Sequence, residues 1–355
     1  MNHYKLRFLN HLALEPEVEL TVLSGTGRSN MGDQELKDST NFKQINLDVP
    51  KKDFGTSKLV KGKLKELFSD FDWIMIPVEK KNVPLFLFAL KLKKQHQSVQ
   101  LFSYNHPILK SKQGKVTLVD KWLTRWFFKK LDRVVFYTKQ SHEWAVSERL
   151  IAKEKAFWAN NTIDTSEIQK HHTYQLPNAN KISILFIGRL IASKRIPELL
   201  EYYARLKQDI PNLELDIIGD GPESYLVKEA SELDTNIHWH GTLIDEEKIA
   251  PIMQRASLVF IPGHSGLSVN HAFAYGRPYI TLEGPSHAPE VDYIDQAENG
   301  FMLHGTFDEN IEVIKHLLLD KDQLKQFCDS AKEKGNYLSV ENWVNQMKSS
   351  LLDEG

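Results

Sequence analysis

The chain has 355 residues, 41% hydrophobic and 26% charged, with a formal net charge of −2 and one cysteine. That length supports two domains with cores of their own. A lone cysteine excludes an internal disulfide framework and fits a reducing compartment, and no Cys/His spacing suits zinc, so no metal is expected.

Met1-Asn2-His3-Tyr4 opens no apolar run, so no signal peptide is expected. The most apolar stretch, Val83 to Leu92, is too short to cross a bilayer. A cytoplasmic protein, soluble or peripheral on the membrane, is the expectation. The charge is unevenly spread: Lys51 to Lys155 holds 23 lysines and arginines against 10 acidic residues, and the remainder 22 against 37. Either the basic half faces an anionic partner such as a membrane surface, or its lysines simply solvate helix faces.

In chain order, Tyr4 to Ala13 has helical spacing where a doubly wound domain normally opens on a strand and a glycine-bearing turn. Either the first sheet lacks a strand or the true start lies upstream. Val18 to Ser24, Trp73 to Val78, Val99 to Tyr104 and Val134 to Thr138 read as strands. Ser57 to Phe68, Leu85 to Lys94 and Thr117 to Leu131 read as the helices between them. On the last helix Trp122, Trp126 and Phe127 alternate with Lys121, Arg125, Lys129 and Lys130. That mixture suits a membrane interface, although the spacing favours a core-facing aromatic stripe.

Residues 1–164 are therefore expected to form one domain, and the aperiodic, polar Thr165 to Lys181 a linker. Beyond it, Ser183 to Gly188, Glu214 to Gly219, Ile237 to Trp239, Leu258 to Ile261 and Tyr279 to Thr281 read as strands. Ile196 to Gln208, Glu223 to Leu233, Glu246 to Arg255 and Leu267 to Tyr275 read as helices, with a short one at Val291 to Gln296. Strict alternation implies parallel sheets joined by right-handed crossovers, so the fold class is α/β with two Rossmann-like domains. The second would span 182–335, and 336–355 would form a helix returning to the first. Cys328, in the late helix Gln323 to Lys334, reads as a packing residue.

The candidate chemistry sits at strand ends. Gly188-Arg189, with Lys194 further on, ends one strand; a fork-shaped guanidinium and a point-charge ammonium suit neighbouring phosphates. Cations disfavour a helix start unless an anion is there. Gly263-His264-Ser265-Gly266-Leu267-Ser268 opens a helix whose free amides suit a phosphate. Gly219-Asp220-Gly221-Pro222 ends another strand. His106 ends the strand Gln100 to Tyr104, where it would orient a hydroxyl or move a proton, or be a satisfied structural histidine. Glu290 follows His287 in a loop, binding sugar hydroxyls or favouring the start of the helix Val291 to Gln296.

Three motifs carry no weight. Gly25-Thr26-Gly27 lacks the third glycine of a dinucleotide fingerprint, Asp70-Phe71-Asp72 precedes its strand as an entry turn, and Asn160-Asn161-Thr162 matters only after secretion.

In combination, Gly188-Arg189 with Lys194, Gly219 to Pro222, His240-Gly241, Gly266-Leu267 and Ala272 to Pro278 resemble family 4 glycosyltransferases, retaining enzymes of two Rossmann-like domains (the GT-B architecture). Looser matches lie at Asn105-His106, Val135 to Thr138 and Ala159 to Asp164. The resemblance implies transfer of a sugar from a nucleoside-diphosphate donor to the hydroxyl of a glycan or lipid-linked glycan. It points to cell-surface polysaccharide synthesis, such as lipopolysaccharide or capsule, with no further cofactor and no nucleic acid.

By the same resemblance Arg189, Lys194 and the amides of Gly266 and Leu267 would hold the diphosphate. Gly219, Gly221, Pro222, Gly241 and Thr242 would border the base, and His106 would approach the sugar. The family's paired glutamates, spaced Glu-x7-Glu, fall here on Gly263 and His271. The sugar would then rest on amides of Gly263 to Ser265, and His271 would bond ribose or phosphate. Two alternatives stand beside this reading: a non-catalytic partner subunit that kept the fold, and a sugar-nucleotide epimerase.

Overall fold

A computed structural model describes residues 3–26, 40–50, 52–109, 116–178, 180–284 and 287–352, with side chains from Phe8 onward. The chain divides into two compact units, Met1–Asp164 with Val340–Gly355, and Thr165–Ser339.

The first unit runs α1 (His3–Leu12), β1 (Thr21–Thr26), β2 (Lys43–Pro50), α2 (Lys58–Leu67), β3 (Trp73–Met75), α3 (Val83–Lys93), β4 (Gln100–Asn105), α4 (Leu118–Lys130), β5 (Arg133–Phe136), α5 (Lys139–Ser147) and β6 (Ala156–Trp158). Strands β3-β4-β5-β6 form one parallel sheet, and β1-β2 pair separately, also parallel. Side chains alternate across the four-stranded sheet as strand geometry requires. Leu101, Val134 and Phe136 join Phe86, Ala89, Phe127, Phe128 and Ala145 of α3, α4 and α5. Phe102 and Val135, one residue out of phase, face Phe8 and Leu12 of α1 together with Val340, Trp343, Val344 and Met347. Those last four belong to α13 (Val340–Leu352), the end of the chain.

Strand β2 was not apparent from composition, because its Lys43, Gln44, Asn46 and Asp48 dilute the apolar positions. Its period-two trio Ile45, Leu47 and Val49 was nonetheless there to be read. The aromatic stripe of α4 splits: Phe127 and Phe128 are fully buried and Trp126 packs edge-on against Phe86, whereas Trp122 is exposed.

The second unit comprises α6 (Ser166–His171), β7 (Ser183–Ile187), α7 (Ile196–Asp209), β8 (Glu214–Ile218), α8 (Ser224–Leu233), β9 (Ile237–Trp239), α9 (Glu246–Arg255), β10 (Leu258–Phe260), α10 (Ser268–Ala274), β11 (Tyr279–Leu282), β12 (Gly300–Leu303), α11 (Phe307–Leu319) and α12 (Lys321–Tyr337). Its six-stranded sheet is parallel throughout, in the order β12-β11-β10-β7-β8-β9. Continuous apolar runs such as Ile184-Leu185-Phe186 and Leu258-Val259-Phe260 are buried, as strands covered on both faces must be.

Two expectations need correction. Ser166–His171, read as linker, is helical. Val291 to Gln296, read as a short helix, is not one: Pro289–Tyr293 form a 3-10 turn that ends at the extended Ile294, so Glu290 does not start a regular helix. Cys328 is fully buried in α12, and burial pushes its thiol up to about 11, which leaves it unreactive at neutral pH. Among the described residues no helix is long and apolar enough to cross a membrane.

Candidate functional site

The strand order of the second unit reverses between β7 and β10, which pair directly through Ile184 and Leu258. One crossover runs from β7 to β8 and β9, and the next returns to the other side of β7. Such a reversal opens a crevice at the carboxyl ends of the two central strands, where open α/β sheets bind ligands.

The turns leaving β7 and β10 are stitched together at that point. The Lys194 Nζ donates to the carbonyl of His264 at 2.5 Å, and the His264 amide donates back to the carbonyl of Ser193 at 2.7 Å. A side chain at Gly263 would place its Cβ 2.2 Å from the Ser193 oxygen, so only glycine allows the two turns to meet. Among the described residues no carboxylate pairs with Lys194. Burial alone pushes its ammonium down from 10.5 to about 8. A cation in a dry place with no counter-charge carries an uncompensated desolvation cost.

Arg189 stands exposed on the same turn, immediately after Gly188, and no described acid pairs with it either. Further along the β10 turn, the amides of Gly266 and Leu267 find no acceptor among the described residues. Gly266 lies against the loop carrying Glu290, whose buried Oε2 would be 3.5 Å from a Cβ built there.

The β10 turn is braced from beneath. Ser265 Oγ donates to the Gly263 carbonyl and accepts from the Tyr279 hydroxyl at 2.9 Å, while Ser268 Oγ and Tyr279 lie 2.8 Å apart. The hydroxyls of Ser265 and Ser268 therefore belong to a buried lattice. The Ser265 amide donates to His287 Nδ1 at 3.1 Å, and His287 Nε2 lies 2.8 Å from the Leu282 carbonyl. Burial lowers the His287 pKa, so the ring is neutral, accepting at Nδ1 and donating at Nε2.

These bonds revise two expectations. The amides of His264 and Ser265 are engaged by Ser193 and His287, so they do not form the expected open cradle with Gly263. His271 Nε2 lies 3.0 Å from Glu246 Oε1, and the Tyr275 hydroxyl donates to Glu246 Oε2 at 2.6 Å. The ring is thus tied to a carboxylate of α9. Glu246, His287 and the Tyr279 lattice were missed because each makes sense only through a partner distant in sequence.

Beside this centre, the turns after β7, β8 and β9 lie one on another. A Cβ at Gly219, whose φ is +144°, would sit 1.9 Å from the Gly188 oxygen, and one at Gly221 2.4 Å from that of Leu190. The Gly219 amide donates to Gly241, and Trp239 Nε1 to the Gly219 carbonyl. Pro222 and Thr242 are exposed along this edge. Beneath it, the fully buried Asp216 of β8 takes hydrogen bonds from Arg255 and Ser183 and lies 2.7 Å from His240 Nε2.

In the first unit His106 follows β4 directly, exposed, with its ring edge-on to Tyr137 at 4.9 Å. Among the described residues no cluster of three or more histidine, cysteine or acidic side chains is placed to hold a metal.

A six-stranded parallel sheet, reversed at β7 and β10 with a lysine lacking a described carboxylate partner at the reversal, defines a doubly wound α/β unit. Residues 167–334 match the family model "Glycosyl transferases group 1", and this segment is a domain of that group. With the α/β first unit the chain has the two-domain GT-B architecture, seen also in solved structures it resembles. Sucrose-phosphate synthase from Thermosynechococcus elongatus aligns over 98% of this chain and 91% of its own, with TM-score 0.67 and 17% identity. Anabaena HepE in complex with UDP aligns over 88% and 86%, with TM-score 0.65 and 15% identity. In sequence, the poly(glycerol-phosphate) alpha-glucosyltransferase of Bacillus subtilis (strain 168) is 25% identical over 233 residues, 61% of this chain and 33% of its own. The chain spans a third or less of the length of the curated relatives it matches.

Proposed function

We propose that the second unit grips the diphosphate of a nucleotide sugar and that the chain transfers the sugar, with retention, to an acceptor hydroxyl of a surface glycan. The observation that carries this reading is Lys194: an ammonium lacking any described carboxylate partner, fixed at the topological switch point between Gly188 and the Gly266 turn. Arg189 and the amides of Gly266 and Leu267 supply the remaining donors. The HepE structure, which holds UDP, supports a nucleoside diphosphate as the ligand. The Bacillus subtilis relative, named as an alpha-glucosyltransferase of poly(glycerol-phosphate), supports a hexosyl group and a glycerol-phosphate polymer as acceptor.

In the proposed step the bond from the anomeric carbon to the leaving diphosphate breaks as the acceptor oxygen bonds that carbon from the same face. The acceptor proton passes to a diphosphate oxygen. Negative charge grows on the diphosphate as this happens, and Lys194 and Arg189 stabilise it more in the transition state than in the bound donor. The base is assigned to the edge formed by Gly219, Gly221, Pro222, Gly241 and Thr242.

The test is calorimetric titration with UDP, GDP, dTDP and ADP, followed by hydrolysis and transfer assays with the matching sugars. Binding of one nucleoside diphosphate, and turnover that falls by orders of magnitude in Arg189→Ala, is expected. A folded protein that binds none of the four overturns the reading. That same absence of binding favours a non-catalytic partner subunit.

A further inference from the structure

We propose that the first turn of α4 docks on an anionic lipid bilayer, with Leu118, Val119 and Trp122 entering the headgroup boundary. Leu118 is 85% exposed, Val119 68% and Trp122 65%, and Val116 just before them is exposed too. Isolated apolar side chains at a surface are ordinary, but a contiguous cluster of them on one helix tip is not.

The tip is a built feature. Thr117 and Asp120 form a reciprocal capping box, so the helix start is fixed. Lys80 ion-pairs with the buried Asp120, holding its carboxyl down at about 2. The protein thus orders a turn whose outward side chains are apolar.

Leu118, Trp122, Arg125 and Lys129 recur at helical spacing and are all exposed, so they lie along one stripe. The stripe is apolar at its tip and cationic along its length. Lys129 and Lys130 make no ion pair with any described residue, unlike Lys121, which meets Glu148. The same unit carries the excess of lysine and arginine between Lys51 and Lys155.

This sequence of apolar tip, tryptophan and exposed cations matches the order of a bilayer surface from acyl boundary to anionic phosphates. A protein partner fits less well, because stable interfaces engage about 20 residues a side and the apolar tip offers three or four.

The full chain is sedimented with vesicles of phosphatidylcholine alone and of phosphatidylcholine mixed with phosphatidylglycerol. Wild-type protein is expected in the pellet with the anionic vesicles only, released by high salt, with its tryptophan emission quenched by brominated lipid. Leu118→Ser/Val119→Ser/Trp122→Ser and, separately, Lys129→Glu/Lys130→Glu are expected to bind about tenfold more weakly with unchanged melting temperature. Wild-type protein left in the supernatant, or a serine variant that pellets as well as wild type, overturns the proposal. So does a concentration-dependent oligomer that the serine substitutions dissolve while vesicles bind neither protein. None of these substitutions touches the Lys194 site, so failure here leaves nucleotide binding intact.

Discussion

Lys194 and His264 hold each other across the switch point: the ammonium donates to the His264 carbonyl, and the His264 amide is bound to the residue before the lysine. The lysine is therefore both a brace and an unneutralised charge, and the two roles have opposite signs for stability. Its depression from 10.5 to about 8 corresponds to about 3 kcal/mol of burial cost. The hydrogen bond returns about 1 kcal/mol. Lys194→Met keeps the length and removes the charge. The ligand-free variant is expected to be more stable by roughly 1–2 kcal/mol. The increase in melting temperature that a nucleoside diphosphate gives wild type should vanish. A less stable variant that still responds to nucleotide would show that the lysine is only a brace.

The same residue sets a pH dependence. Between about 8 and 10.5 the unfolded chain still holds the Lys194 proton while the folded chain has released it. Stability of the ligand-free protein therefore rises with pH across that window. Binding runs the other way, because the diphosphate needs the charged form. Affinity for the nucleoside diphosphate should be level below about 8 and then fall, by up to about tenfold per pH unit. Calorimetric titrations from neutral to alkaline pH measure the slope. An identical slope in Lys194→Met would assign it to another group.

Gly219 is the tightest contact at the proposed nucleotide edge. A methyl group there meets the Gly188 oxygen at 1.9 Å, and the φ of +144° is itself hostile to a side chain. Backbone cannot step aside as a flexible side chain does. Gly219→Ala is expected to cost about 2–4 kcal/mol in urea denaturation. It should also weaken nucleotide binding, by moving the turn that carries Arg189. A loss below about 0.5 kcal/mol would show that the turns slide apart freely.

The strands and helices of the second unit were legible because both faces of its sheet are covered. Runs such as Leu258-Val259-Phe260 are then apolar throughout, and the intervening helices are amphipathic. Gly188, Gly219 and Gly263 stood out for a similar reason, since glycine at a strand end marks a backbone approach that no other residue permits. What stayed hidden was reciprocity. Nothing near Ser265 announces that His287 will take its amide, or near His271 that Glu246 will bind its ring, because those contacts are created by the crossovers themselves. In the first unit β2 escaped notice because polar residues alternate with Ile45, Leu47 and Val49. The exposure of Trp122 was equally invisible, since Phe127 and Trp126 on the same helix do face inward.

Asp216 tests whether the proposed nucleotide edge depends on a buried charge. Burial pushes its carboxyl up, but hydrogen bonds from His240 and Arg255 outweigh that and hold it down at about 2. The depressed value means that its stabilising contribution is complete above about 4 and is lost as pH falls toward about 2. Asp216→Asn keeps the shape and leaves the Arg255 guanidinium without its counter-charge. Removing one partner of a buried pair typically costs about 3–5 kcal/mol. Because Arg255 is partly exposed to water, a value near the lower end, about 3 kcal/mol, is expected in urea denaturation at neutral pH. The variant should also lose less stability than wild type between pH 4 and 2, since it no longer has that carboxyl to protonate. Asp216 bonds His240, whose neighbour Gly241 accepts the Gly219 amide, so nucleotide affinity should fall alongside stability. Unchanged affinity in a destabilised variant would separate the charge cluster from the binding edge and confine Asp216 to folding.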